Sequence, residues 1–453
     1  MSRTDTRFYQ LAWRWHFYAG LFVAPFMLLL ALTGIVYLFK PQLDPLLYPQ
    51  LLLVEAAGAA LDADRQLEVL RASHPRALVT RYFPPAAAER SALFVVEEDG
   101  RSLNLFVDPY RGVLLGAQDA RYNLQALARG LHGELLAGPL GDRLIELAAG
   151  WGIVLLASGL YLGWPRGRGL AGVLWPRWSR RGRALWRDLH VSVGVWSAAL
   201  LLFLLLSGMA WTGFWGKQFA DLWNRFPAAM WQDVPQSGRE ARSLSDSTRQ
   251  AVPWAVENTP LPASDPHAAH HGHAGGHAEA AAPRIGLQQV VELAAARGVV
   301  PGYGVSLPRD ARGVYSVSIF ADDPRDDATL HIDQYSGALL ADVRWRDYNW
   351  VARTVESGAM LHEGRMFGRA NQLLMLAACL AVLFGACSGL LIWWQRRPRG
   401  SLGVPPLRPA PPRWKAGLAL VVLLGALFPL VGASLLLCWL GDRLLLAWRR
   451  AAA

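Results

Sequence analysis

Four histidines lie near the ends of long apolar runs, and their spacing repeats along the chain. His16 and His190 are 174 residues apart, and His132 and His362 are 230 residues apart. Imidazoles that face each other across a helix bundle can ligate one haem iron from both sides. A single histidine at the end of a span is usually interfacial packing, but four in matched positions favour two haem sites. We expect an inner haem between His16 and His190 and an outer haem between His132 and His362.

Charged and small residues surround these histidines. Guanidinium groups match the carboxylate geometry of haem propionates, and five arginines flank the pairs: Arg14 and Arg187 on the inner side, Arg129, Arg365 and Arg369 on the outer side. Ordinary surface charge is the alternative for the inner two.

Glu134 and Glu363 could orient an outer imidazole, and Glu146, inside an apolar run, requires a partner in Arg143 or Arg369. Six glycines could leave room for a macrocycle or for close helix packing: Gly20, Gly34, Gly159, Gly194, Gly208 and Gly389.

A histidine-rich tract lies in the second half of the chain, within residues 263–283. It reads HAAHHGHAGGHA and contains His267, His270, His271, His273 and His277. The Gly/Ala/His composition has no apolar period and is typical of a disordered segment. Neutral imidazoles bind Cu, Zn, Ni and Fe, so the tract is either a weak metal-collecting tether or an inert linker.

Membrane-spanning helices must position these histidines. Hydrophobic residues make up 53% of the chain and charged residues only 18%, which indicates a membrane protein. Five apolar runs reach the ~20 residues that cross a bilayer as a helix: 17–39, 144–164, 191–211, 373–394 and 416–440. Basic segments at 1–14, 166–188 and 396–415 predict a cytoplasmic N-terminus, so the net charge of +10 indicates topology rather than nucleic-acid binding. The basic C-terminus disagrees with five full spans, and a re-entrant fifth segment bent at Pro429 is the alternative.

The chain contains two copies of one plan. The first copy consists of a span (1–40), an outer segment (41–141) and a second span (142–165). The second copy consists of a span (189–216), an outer segment (217–369) and a span (370–395). Basic loops occupy 166–188 and 396–415, and a fifth span with its tail covers 416–453. Each outer segment has a helical stretch, three β-rich runs and a D-x-Y-x-G turn, at an offset of 225. The expected fold is a membrane α-helical bundle of about five spans with two small α+β domains outside the membrane, as a parallel internal duplication.

These motifs resemble the PepSY-associated transmembrane family. The resemblance rests on the Leu-His pair before the second and fourth spans, on S-G-L-x-x-x-W at their ends and on the two D-x-Y-x-G turns. It covers nearly the whole chain. It implies PepSY-like outer domains and a bacterial inner-membrane reductase that carries two b-type haems and acts on ferric siderophores at the periplasmic face.

The resemblance also implies a direction of electron flow. Electrons would enter from the cytoplasmic side and leave to a ferric siderophore or another metal chelate, with release of Fe²⁺. The chain has neither a dinucleotide-binding fold nor a flavin domain, so the donor would be a quinol or a separate cytoplasmic reductase. No residue is singled out as catalytic.

Two other classes of protein remain open from the sequence. One is a haem-free scaffold whose outer domains bind a peptidase or a signalling partner. The other is a metal permease that uses the histidine tract as a collecting loop. The permease is disfavoured because the spans lack a ladder of polar side chains across the membrane midplane.

Overall fold

Two compact units make up the chain. The helical unit contains Met1–Val36, Ala128–Gln218 and Leu373–Ala453, and the sheet unit contains Tyr37–Leu127 and Phe219–Gln372. The computed structural model describes residues 3–166, 169–225, 228–245, 250–265, 283–405, 415–438 and 440. The histidines of the tract, His267, His270, His271, His273 and His277, lie outside the described residues.

Four long apolar helices dominate the helical unit. In chain order, the α-helices of the described residues are α1 (Arg3–Leu38), α2 (Lys40–Leu47), α3 (Pro49–Leu52), α4 (Ala63–Ser73), α5 (Leu124–Glu134), α6 (Gly138–Gly163), α7 (Arg183–Met209), α8 (Trp215–Trp223), α9 (Leu287–Ala296), α10 (Trp350–His362), α11 (Arg369–Arg396), α12 (Lys415–Leu427) and α13 (Pro429–Cys438). Within this part of the chain, α1, α6, α7 and α11 are long and apolar enough to cross a membrane. They correspond to the first four predicted spans, and the chain is a membrane protein.

The fifth apolar run is not one helix. α12 ends at Leu427 and α13 begins at Pro429, and the described part of each is shorter than the ~20 residues of a full span. Proline lacks the N–H that would continue the helical hydrogen bonds, and Trp215 Nε1 donates to the Leu427 carbonyl at 2.7 Å. A Cβ on Gly432 would lie only 2.8 Å from the Gly425 Cα, so the two short helices touch. Within the described residues, the fifth run is therefore broken at Phe428, beside the proline where the sequence allows a bend.

One antiparallel sheet dominates the sheet unit. The strands of the described residues are β1 (Leu78–Phe83), β2 (Ala92–Glu98), β3 (Arg101–Asp108), β4 (Val113–Asp119), β5 (Gln236–Glu240), β6 (Pro260–Pro262), β7 (Gly304–Ser306), β8 (Val314–Ile319), β9 (Ala328–Asp333) and β10 (Leu339–Arg344). Eight of them lie in the order β10-β9-β8-β7-β1-β2-β3-β4, and β5 pairs with β6.

The two sequence repeats are halves of this sheet and not two separate domains. β1 pairs with β7, and Arg81 lies opposite Ser306, its own equivalent at the offset of 225. The local twofold axis therefore passes through this residue pair. Pairing hides the edges that each repeat would expose alone, because an unpaired strand edge presents free N–H and C=O groups.

The equivalent helices α4 and α9 cap each other. Asp64 accepts from the N–H groups of Leu287 and Gln288 at 2.7 and 3.1 Å, and the Gln288 side chain accepts from the Ala63 N–H at 3.0 Å. These bonds satisfy N–H groups that have no partner inside their own helices. A Cβ on Gly286 would lie 2.5 Å from Asp64 Oδ2, so a larger residue there would displace this capping carboxylate. Side chains thus join the repeats in addition to the sheet.

The predicted D-x-Y-x-G turns are confirmed after β3 and β9. Asp108 Oδ1 accepts from the backbone N–H groups two and three residues later at 2.8 and 3.1 Å. Asp333 Oδ1 does the same at 2.9 and 2.8 Å. Gly112 and Gly337 have φ of +63° and +71°, a conformation that favours glycine.

Two hydrophobic clusters hold the sheet unit together. In the larger, Leu70 and Val290 of α4 and α9 are fully buried together with apolar residues of the sheet. In the second, Trp254 and Val256 pack together with Ala352 of α10. The second cluster fixes α10, the helix that ends at His362.

Candidate functional site

His16 lies in α1 and contacts α6. Its Nδ1 is 3.1 Å from the Leu155 carbonyl oxygen and 3.0 Å from Ser158 Oγ. A carbonyl oxygen only accepts hydrogen bonds, so Nδ1 carries the proton. Ser158 Oγ donates its own proton to the same carbonyl at 3.0 Å, which leaves it an acceptor for Nδ1. The neutral ring therefore has an unprotonated Nε2, the nitrogen that can bind a metal ion.

His190, on α7, has the equivalent arrangement with α11. Its Nδ1 is 2.9 Å from Ser388 Oγ, and Ser388 Oγ donates to the Gly385 carbonyl at 3.3 Å. Ser388 is the repeat equivalent of Ser158, as His190 is of His16. Both serines begin an S-G-L-x-x-x-W motif, so this motif holds a histidine of another helix. The motif and the histidines are visible in the sequence, but the contact between them is not.

The glycines that follow these serines make room for the imidazole rings. A Cβ on Gly159 would lie 3.0 Å from His16 Cε1, and a Cβ on Gly389 would lie 3.4 Å from His190 Cε1. A methyl group at Gly159 would therefore press on the His16 ring in a packed interior, whereas the distance at Gly389 is an ordinary van der Waals contact. Both glycines thus lie beside an imidazole of another helix, which corresponds to the helix-packing alternative.

The two inner imidazoles lie close to each other. Their ring centroids are 6.5 Å apart and their planes are inclined by 83°. Two imidazoles on opposite sides of one metal ion have centroids about 6.3 Å apart, because the metal–nitrogen bond is about 2.0 Å and the nitrogen lies about 1.15 Å from the centroid. Within the described residues, neither Nε2 makes a hydrogen bond. Spacing and tautomer both fit a metal ion held between His16 and His190.

His132, on α5, is held in the same way by α1. Its Nδ1 is 3.0 Å from Thr33 Oγ1, and this hydroxyl donates to the Leu29 carbonyl at 2.7 Å. A Cβ on the next residue, Gly34, would lie 3.6 Å from His132 Cε1. Three hydroxyl–glycine pairs in the helical unit thus each hold one histidine: Thr33–Gly34, Ser158–Gly159 and Ser388–Gly389.

His362 is the last residue of α10, in the sheet unit. Its pairing with His132 rests on the sequence repeat alone. Close to it along the chain, Arg365 binds Asp322 at 2.8 Å, Glu363 at 3.2 Å and the Phe320 carbonyl at 2.7 Å. Arg365 and Glu363 therefore bind each other, and their roles as propionate ligand and imidazole partner stay predictions.

The inner arginines also bind protein groups. Arg14 donates to the Pro405 carbonyl. Arg187 lies 3.3 Å from Asp188, a buried carboxylate that Arg177 already binds through two hydrogen bonds of 2.6 and 2.8 Å. Of the other predicted residues, Arg129 and Glu134 lie on α5, and Arg369 begins α11. The structure thus brings together the inner histidines, but it gives Arg14 and Arg187 structural contacts.

Glu146, the carboxylate of the second span, caps the start of α8. Its Oε2 accepts from the N–H groups of Phe214 and Trp215 at 3.1 and 3.0 Å. Arg143, one of its two predicted partners, lies 3.9 Å away. A helix N-terminus carries partial positive charge and unpaired N–H groups, so it stabilises a buried carboxylate. Glu146 therefore joins α6 to α8.

The family of the chain follows from comparison with known proteins. Residues 13–396 match the family described as the PepSY-associated TM region. The chain belongs to this family. The matched region includes all four histidines and both D-x-Y-x-G turns, which confirms the resemblance seen in the motifs. Among curated proteins, none matches this chain at a significant level.

Sequence reasoning missed a buried acidic pair in this PepSY-associated TM protein. Glu356 of α10 is 2% exposed, and its Oε1 accepts from the Ala255 N–H at 2.9 Å. Burial, and after it the negative charge of Asp327, raises the pKa of Glu356 to about 8. Burial raises the pKa of Asp327 to about 7. A glutamate in a partly polar helix gives no local signal of burial, because the covering residues come from elsewhere in the chain.

Proposed function

We propose that this protein is a di-haem b oxidoreductase of the bacterial inner membrane. It passes electrons from a quinol or a cytoplasmic reductase to the periplasmic side, where a ferric siderophore or another metal chelate is reduced and releases Fe²⁺. One observation carries the proposal: the ring centroids of His16 and His190 are 6.5 Å apart, a separation compatible with two ligands of one iron, and the proton of His16 lies on Nδ1. The sheet unit is the periplasmic part in this proposal.

The residues of the chain have defined tasks in this function. His16 and His190 would hold the inner haem, and His132 and His362 the outer haem. One-electron transfer is the chemistry that a bound haem supplies. The hydroxyl groups of Thr33, Ser158 and Ser388 fix the tautomer and the ring orientation of the histidines that they contact. Residues around a metal ligand commonly have this role.

Two protein ligands per iron suffice for this kind of site. The described residues contain no group of three or more His, Cys, Asp or Glu side chains that could hold a metal ion. A metal ion bound by side chains alone usually needs such a group. In a haem the macrocycle supplies the remaining ligands, so a pair of histidines is the arrangement to expect.

The absorbance spectrum of the purified full chain tests the proposal. After expression with ample haem, we expect a Soret band, the spectrum of six-coordinate b-type haem and two haems per chain. The dithionite-reduced protein should be reoxidised by a ferric chelate. A colourless protein would contradict the proposal and favour a scaffold or a permease.

Replacing Ser158 by alanine should weaken the inner haem site without removing its ligand. His16 keeps the Leu155 carbonyl as an acceptor but loses the serine oxygen, and loss of such a partner typically lowers metal affinity about 10- to 100-fold. The measurements are haem retention and the midpoint potential of the inner haem. Ser197→Ala is the matched control on α7, because its hydroxyl donates to the Val193 carbonyl of its own helix. Unchanged retention and potential in Ser158→Ala would contradict the assigned role.

A further inference from the structure

A cavity opens in the sheet unit where the two repeats meet, and we call it the seam cavity. Its volume is about 50 Å³, and its lining includes Arg81 of β1 and Ser306 of β7, the residues that pair at the local twofold axis. Arg239 of β5 and Arg309, which follows β7, complete its charged lining. Among the described residues, no Asp or Glu lines the seam cavity.

The three guanidinium groups differ in exposure. Arg81 is buried, at 5% exposure, and its Nη2 donates to the carbonyl of Leu244, another lining residue, at 3.1 Å. The side chains of Arg239 and Arg309 are 47% and 50% exposed. Arg239 pairs with Asp310 and Arg309 pairs with Glu97, each at 3.4 Å and each with an exposed partner. Exposed ion pairs of this kind contribute little to stability, because water screens them. Both arginines can therefore exchange these partners for a bound anion.

The neutral lining groups and the volume limit what can bind. The Ser306 side chain makes no hydrogen bond within the described part of the chain, so its hydroxyl can donate to a ligand. A volume of about 50 Å³ holds a few groups of the size of a water molecule, each of which needs about 10–15 Å³. This is room for one carboxylate or phosphate group, but not for a whole metal chelate.

We propose that the seam cavity binds one oxyanion group, a carboxylate or a phosphate. The buried Arg81 and the half-exposed Arg239 and Arg309 supply positive charge, and arginine forks bind both kinds of oxyanion through paired hydrogen bonds. The group belongs either to free phosphate or to the carboxylate of a larger ligand such as an anionic ferric chelate. The site rests on the sheet unit alone and does not depend on bound haem.

Calorimetric titration of the purified full chain tests this proposal with three probes: inorganic phosphate, citrate and ferric citrate. We expect at least one of them to bind, with an affinity that falls as the salt concentration rises. The double variant Arg239→Gln/Arg309→Gln should bind at least about 10-fold more weakly, because two charge-assisted contacts are lost. Arg325→Gln/Arg346→Gln removes the same charge from exposed positions outside the lining and should bind like the parent protein.

The outcomes show whether the cavity prefers phosphate or a carboxylate chelate. They also distinguish failure of this proposal from failure of the haem proposal. Tighter binding of phosphate identifies a phosphate site, and tighter binding of ferric citrate than of citrate identifies a site for the chelate. The proposal is overturned if no probe binds, if Arg239→Gln/Arg309→Gln binds normally, or if the control variant loses equal affinity. The Soret spectrum of the same samples reports the haem proposal separately, since neither variant changes a histidine.

Discussion

Replacing His16 by alanine is expected to remove one of two haems and to abolish electron transfer to an external ferric chelate. The inner iron would lose one of its two protein ligands. His190 cannot replace it, because its Nδ1 is held by Ser388 Oγ on another helix. Haem per chain should fall by half, and the remaining haem should keep its spectrum because His132 has its own hydroxyl partner, Thr33. Haem extraction with quantitation, together with reoxidation by a ferric chelate, measures both effects.

His74→Ala is the matched control for this experiment. His74 bonds Glu98 at 2.8 Å in the sheet unit and is part of no proposed haem site. Added imidazole should restore part of the inner haem in His16→Ala, because the small ligand can occupy the space left by the ring. Two haems per chain in His16→Ala would show that this histidine is not a ligand. His190→Ala should behave as His16→Ala does.

Replacing Glu356 by glutamine should stabilise the protein at mildly alkaline pH. The folded protein holds the Glu356 proton up to about pH 8, whereas the ordinary pKa is 4.5. Unfolding therefore releases a proton between these values, and the free energy of unfolding falls as the pH rises through this range. From about pH 6.5 to about pH 8 the loss is about 2 kcal/mol, or a Tm lower by about 2 °C for a chain of this length. Glutamine cannot ionise and keeps an oxygen for the Ala255 N–H.

Thermal unfolding of parent and variant at the two pH values checks the expected effect of Glu356. The drop in Tm between about pH 6.5 and about pH 8 should be smaller in Glu356→Gln, and the part that remains includes the release of the Asp327 proton. His331 does not interfere, because burial lowers its pKa from 6.5 to about 4 and its effect lies below this pH range. Glu68→Gln is the control, since Glu68 is 61% exposed in an ion pair with Arg65. An equal drop in parent and Glu356→Gln would contradict the raised pKa.

Much of the local structure could be predicted from the sequence. The strand β1 (78–83) and the helix α9 (287–296) lie in the outer segments where the sequence predicts β-rich runs and a helical stretch, because periodic patterns of apolar residues are local signals. The first four spans follow in the same way from apolar length. The sequence indicates the break in the fifth run only as an alternative to a full span. A proline predicts a bend, but it does not predict the direction of the chain after the bend.

The candidate site, too, could be predicted from the sequence only in part. The repeat alone placed His16 and His190 in equivalent positions, and each S-G dipeptide was visible as a repeated motif. Which hydroxyl meets which imidazole was not visible, because Ser158 and His16 are 142 positions apart in the sequence. Such a contact depends on how α1 packs on α6. The sequence suggested arginines for the propionates, but Arg14, Arg187 and Arg365 bind protein groups in the structure.

The sequence by itself determined the membrane helices, the duplication, the repeat elements and the four histidines, because each depends on composition or spacing over a few dozen residues. Only the tertiary structure decided that β1 and β7 join the repeats into one sheet, that hydroxyl–glycine pairs hold three histidines, and that Glu356 is buried. These features arise where segments distant in sequence meet. Their free energy comes from many weak contacts between those segments, and no single segment encodes them.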